Sequence, residues 1–198
     1  MPNDNIKRAI DKGAGGADGG NYEELTYEGY AAGGVAVFIE AMTDNRNRTA
    51  GDIRSYFSKF NRNLGETGCV GWMFKPVGQL FFDTTVEFEK LFDLALEAGA
   101  DDLVEETTED EDGDEVKQYK MTTTPENFQS VVEFFDKQGI KPVSEELTRI
   151  PENTIEVTDK KVATNIMRLL NNLEEHDDVQ NVYANFDISD EIMAEIDT

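Results

Sequence analysis

QLFFDTTVEFEKLFDLALEAGADDLVEETTEDEDGDEVKQYKMTTTPENFQSVVEFFDKQGIKPVSEELTR, residues 79–149, reads as strand, helix, two strands, helix and strand. Gln79 to Phe82 is a short apolar strand. Thr84-x-x-Glu87 opens a helix in which Phe88, Leu91, Phe92, Ala95 and Leu96 recur at helical spacing, and Gly99 ends it. Leu103 to Thr107 and Glu115 to Met121 are strands about a turn centred on Asp112-Gly113. Thr124 caps the second helix, with Pro125 at its first position, where the missing N–H leaves no bond unmade. Phe128, Val131, Val132 and Phe135 form its buried stripe, Gly139 stops it, and Lys141 to Arg149 returns as a strand. The order β-α-β-β-α-β is that of a ferredoxin-like split βαβ unit.

On either side lies half of a second unit. Upstream, Tyr22 to Tyr30 and Val35 to Met42 read as strands, the second buried. Thr49 to Phe60 is an amphipathic helix with Ala50, Ile53, Phe57 and Phe60 on one face, and Thr49-x-x-Asp52 resembles a capping box. Cys69 to Phe74 is a short strand that Pro76 stops. Downstream, Thr154 to Val157 is a strand and Asp159 to Glu174 a helix with Val162, Ile166, Leu169, Leu170 and Leu173 inward. Val179 to Phe186 is a strand, and Ser189 caps a short last helix. Neither β-α-β piece closes a core alone. Residues 21–77 plus 150–198 are therefore expected to form one discontinuous α+β domain, with residues 78–149 inserted as the second. Before both, Asp4 to Lys12 reads as a helix stopped by Gly13, followed by a glycine linker to Gly20.

Composition narrows the function. Of 198 residues, 38% are apolar, enough for real cores. The net charge of -24 repels phosphate backbones at long range, so an anionic partner must be met by a local patch of opposite sign. The lone Cys69 excludes an internal disulfide and fits a reducing compartment. Apolar runs such as Val35 to Ile39 are too short to span a bilayer, and no signal peptide is visible. A cytoplasmic protein with no membrane partner is expected.

Enzyme chemistry finds little support. The single histidine, His176, sits among acids after a helix and reads as a solvated loop residue, so no metal-ligand spacing or Ser-His-Asp set arises from it. The glycine runs lack the Lys-Ser/Thr of a P-loop. Asp101 to Glu115 holds ten carboxylates and no cation but lacks the spacing and helix flanks of a calcium loop. A carboxylate-site enzyme is the alternative of another class. No catalytic residue, metal site or cofactor is expected.

The contrast is Asn45 to Asn63, where Arg46, Arg48, Arg54, Lys59 and Arg62 face one acid, Asp52. Arg46 and Arg48 are placed ahead of the helix, where backbone N–H groups also favour anions. Four neutralised phosphates would give a salt slope of about -3.6 on duplex DNA. The same stretch also fits a basic helix face paired with the protein's own carboxylates.

Gly13-Ala-Gly-Gly, Tyr27-Glu-Gly-Tyr30, Gly33-Gly-Val-Ala36, Thr43-Asp-Asn-Arg-Asn-Arg-Thr49, Phe57-Ser-Lys59, Asn63-Leu-Gly-Glu-Thr-Gly68 and Asp177-Asp-Val-Gln-Asn-Val-Tyr183 closely resemble the YebC family. The family is labelled probable transcriptional regulatory protein, and its mitochondrial members activate translation for cytochrome oxidase. The resemblance implies a basic N-terminal helical domain and two α/β domains, one interrupting the other. It sets Met1-Pro2 inside the first domain's last helix, which makes residues 1–20 a remnant and linker. Ala31-Ala32 stands where Gly-Pro is common, Asn61-Arg62 where Gly-Gly is usual, and Cys69 where a small Ser is usual. The resemblance implies a non-enzymatic regulator of gene expression, with promoter DNA as partner or, alternatively, ribosomal RNA on the ribosome during synthesis of difficult sequences. Arg46, Arg48, Arg54, Lys59 and Arg62, with Asn45, Asn47 and Asn63, are the expected nucleic-acid contacts, in a monomer.

Overall fold

The computed structural model describes residues 22–109 and 115–196. The expected helix over 4–12, the glycine linker and the turn at Asp112-Gly113 lie outside the described residues. In chain order the elements are β1 (Glu23–Tyr30), β2 (Ala36–Thr43), α1 (Arg46–Lys59), β3 (Phe74–Asp83), α2 (Phe88–Ala98), β4 (Asp102–Glu109), β5 (Glu115–Thr123), α3 (Pro125–Gln138), β6 (Ser144–Pro151), β7 (Ile155–Val157), α4 (Lys160–Glu174), β8 (Val179–Ala184), β9 (Phe186–Ile188) and α5 (Asp190–Ala194). Described residues fall into two compact units, 22–74 with 151–196, and 75–150. The architecture is α+β in both.

In the continuous unit the sheet order is β4-β5-β3-β6, with the first and third strands central, as a split βαβ unit requires. Its core joins Leu80, Phe82, Leu103 and Met121 of the sheet to Leu91 of α2 and Val131 and Phe135 of α3. The cap at α3 is as the sequence indicates: Thr124 accepts from the Asn127 N–H, and Gly139 ends the helix at a φ of 72°. Two boundaries differ. Helix α2 starts at Phe88, because Asp83 folds the preceding residues into a turn by accepting from the Thr85 N–H at 3.0 Å. Of the apolar positions of α2 only Leu91 and Ala95 are buried, while Phe92 and Leu96 are exposed. Strand β3 runs through Pro76, which is tolerated because pairing with β5 begins only at Gly78. At Gly78 an added Cβ would lie 2.3 Å from Cδ2 of Phe128. Gly78→Ala is therefore expected to lower the stability of this unit by about 1–3 kcal/mol, measured by denaturant unfolding.

In the discontinuous unit an antiparallel sheet of order β1-β2-β8 joins the two chain segments. Helices α1 and α4 cover one face, where Ile53 and Phe57 meet Val37 and Ile39, and Ile166, Leu169 and Leu173 complete the core. On the other face Phe38, Val70 and Phe74 form a smaller cluster. The expected strand over Val179 to Phe186 divides at Asn185. Its buried side chain accepts from the Ala36 N–H at 2.7 Å and donates to the Asn153 carbonyl at 3.2 Å. Beyond it, β9 turns away to pair in parallel with β7. Cys69 to Phe74 is not a strand; Gly71–Met73 form a turn of 3-10 helix that leads into β3.

Candidate nucleic-acid interface

Helix α1 begins three residues earlier than its periodicity indicates. Asn45 is the N-cap, accepting from the Arg48 N–H at 3.2 Å, so Arg46 and Arg48 lie in the first turn rather than ahead of the helix. Thr49 is no cap. It is fully buried, and its hydroxyl donates to Asp178 Oδ2 at 2.8 Å. That carboxylate, from the loop before β8, also accepts from Thr43 at 3.1 Å and from Arg48 Nη2 at 2.9 Å. Arg48 further pairs with Asp44 at 2.9 Å. Two carboxylates thus hold the Arg48 guanidinium, and its role is to fasten α1 to the α4–β8 loop.

His176 belongs to the same fastening, not to solvent. Its side chain is 10% exposed; Nδ1 accepts from the Asp178 N–H at 3.1 Å, and Nε2 lies 3.3 Å from Asp52 on α1. The ring meets Tyr56 edge-on, with centroids 6.0 Å apart.

With Arg48 withdrawn, Arg46, Arg54, Lys59 and Arg62 remain exposed and form no ion pair among the described residues. Arg46 and Arg54 both bear on the Tyr27 hydroxyl, whose pKa is raised first by burial while the two cations pull it down. Lys59 Nζ lies 5.1 Å from the Tyr56 ring centroid. Asn47 is exposed in the first turn, and Asn63 is exposed beyond the helix. Asn61 adopts a φ of 55°, a left-handed conformation that Asn accepts more readily than most residues, so the chain turns there without the usual glycines.

Sequence reading missed two features. The first is α4, whose outward Lys161, Asn165 and Arg168 are exposed beside α1 in the same helical layer. Its signal was legible: no acid occurs from Lys160 to Leu173 in a chain with 42 acidic residues. The second is the loop after α1. The buried Glu28 carboxylate accepts from the backbone N–H groups of Gly68, Val70 and Gly71, each at 2.7 Å. This nest of amides holds the loop against β1, and above it Trp72 stands 66% exposed.

Both buried carboxylates make a pH prediction. Burial alone would raise Glu28, but its three amide donors outweigh that and hold it below the usual carboxylate range. Burial is likewise outweighed at Asp178 by Arg48 and the hydroxyls of Thr49 and Thr43. A carboxylate depressed in the folded state contributes stability above its unfolded pKa, near 4, and loses it as pH falls through the lower folded value. The stability gap between the parent and Glu28→Gln should be constant from about pH 6 to 8 and shrink below about pH 4, as followed by urea unfolding.

Burial first, then the Glu28 charge, pushes the Cys69 thiol up, away from a reactive thiolate. Among the described residues no group of three His, Cys, Asp or Glu side chains could hold a metal ion. No described helix is long and apolar enough to cross a membrane.

Residues 22–186 match the family model described as TACO1/YebC second and third domain. A probable transcriptional regulatory protein of Geotalea uraniireducens is 52% identical over 193 residues, covering 98% of this chain and 74% of that protein. One of Geobacter sulfurreducens is 52% identical over 196 residues, covering 99% and 75%. The crystal structure of a conserved hypothetical protein of Aquifex aeolicus is similar at a TM-score of 0.74 and 42% identity, covering 98% of this chain and 76% of that one. With a family match across both units and relatives at half identity over nearly its whole length, this chain belongs to the YebC family.

Proposed function

We propose that this protein is a non-enzymatic regulator of gene expression that meets nucleic-acid phosphates through α1. The observation that carries this reading is the set of four exposed cations, Arg46, Arg54, Lys59 and Arg62, which form no ion pair among the described residues, in a chain of net charge -24. A basic helix face serving only the protein's own fold would pair with some of its many carboxylates, as Arg48 does. Asn47 and Asn63 flank the cations as neutral hydrogen-bonding groups, while Asn45 and Arg48 set the start of the helix. Lys161 and Arg168 extend the positive face onto α4. The name carried by the bacterial relatives, probable transcriptional regulatory protein, supports transcription as the process, and promoter DNA is the target this reading proposes.

A second reading places the same face on ribosomal RNA. The exposed Trp72 favours it, since an open indole suits an unpaired base rather than a closed duplex. Crosslinking of the protein in cells, with and without Arg46→Ala/Arg54→Ala, separates the readings. Enriched promoter reads support transcription, and enriched ribosomal RNA reads support translation. Equal crosslinking by parent and variant would remove α1 from the account.

A further inference from the structure

We infer that Tyr30 and Trp72 form a stacking platform for an unpaired base, with the strand that carries the base passing round the outer edge of β1 to the cations of α1. The inference rests on the nucleic-acid reading above and adds the form of the ligand: single-stranded or looped, with at least one base turned out.

Trp72 is the only tryptophan of the chain and is 66% exposed, while Tyr30 is 40% exposed. An indole so open to water gives up most of the burial that normally justifies the residue. It is nonetheless held. Its Nε1–H donates to the Cys69 carbonyl at 3.2 Å, and the Tyr30 hydroxyl donates to the same oxygen at 3.3 Å. One carbonyl with two lone pairs thus ties both polar tips, while both residues stay exposed. The loop beneath is rigid, because the Glu28 carboxylate holds it at both sides of Cys69 through Gly68, Val70 and Gly71. A pre-fixed aromatic loses little entropy on stacking.

Charge selects the occupant. The loop leaves α1 through Arg62 and Asn63 and runs along the outer edge of β1, where Leu64 bridges Gly29. An added Cβ on Gly29 would lie 2.7 Å from Cε1 of Phe57 and 3.4 Å from the Asn63 carbonyl oxygen. Tyr30 is the next residue and its side chain turns to the opposite face of β1 from Phe57; the chain from Arg62 rounds the sheet edge at Leu64 to reach the loop that carries Trp72, so Arg62, just beyond α1, is the cation that leads to the platform. Aromatic faces and cations along one path are the pattern that single strands require: stacking for bases and positive charge for phosphates. An apolar peptide would use the rings but leave the cations unanswered.

The test uses the whole chain and an oligouridylate of about ten nucleotides, a length within the span of one small domain. Emission from the chain's single tryptophan reports on this site alone. The expected results are quenching on titration, about tenfold weaker binding for Trp72→Ala, and near-parental binding for Trp72→Phe, which keeps a stacking face. Thermal melts should show the Trp72 variants as stable as the parent. If Arg46→Ala/Arg54→Ala weakens binding while Trp72→Ala does not, and the emission is unchanged, the platform is overturned and the α1 reading stands. If the parent binds neither the oligouridylate nor duplex DNA at low salt, both are overturned.

Discussion

Glu28→Ala is expected to cost about 3–5 kcal/mol and to release the loop over 64–72 before the rest of the unit unfolds. Glu28 is 4% exposed and its carboxylate satisfies three backbone N–H groups, that of Val70 being buried. Hydrogen bonds to a charged acceptor are worth more than neutral ones, and truncation leaves the buried Val70 N–H without its acceptor. The same loop supplies Val70 to the small cluster on Phe38 and leads into Phe74 of that cluster, so the loss spreads into packing. Glu28→Gln keeps the shape but turns an amide donor toward backbone donors, and about half the effect should remain. Denaturant unfolding gives the size. Hydrogen exchange at Gly68, Val70 and Gly71 gives the location, and unchanged protection there would refute the account of the nest.

Replacing Arg46, Arg54, Lys59 and Arg62 together with alanine should weaken nucleic-acid binding about 100-fold at low salt while leaving the fold intact. All four side chains are exposed and carry no ion pair among the described residues, so their removal strands no buried partner. Arg48→Ala should behave in the opposite way. It leaves the buried Asp178 without its cation, and the principal loss should be stability.

The contrast between Arg48 and its neighbours marks where sequence reading ends. The β-α-β-β-α-β order was legible because α3 carries a consistent apolar stripe, a Thr-Pro start and a glycine stop, all local signals. The start of α1 was not. Thr49 with Asp52 three residues on imitates a capping box, yet the residue that decides the matter is Asp178, 129 positions away. Nothing local says that Thr49 turns inward to a buried carboxylate. The same holds for Glu28, one acid among 42, whose partners lie 40 to 43 positions on. His176 looked solvated because its neighbours in sequence are acids, while its neighbours in space are Tyr56 and Asp52. The cations of α1 were legible as a charge anomaly. Which of them are free was a tertiary fact.

The central claim is that the exposed cations of α1 meet phosphates, and salt dependence tests it most directly. Binding of the whole chain to an oligouridylate should be measured across a series of salt concentrations. Four contacts predict a logarithmic slope of about -2.8 on a single strand, falling toward zero when Arg46, Arg54, Lys59 and Arg62 are alanine. A four-alanine variant that binds with the parent's affinity and slope would contradict the account.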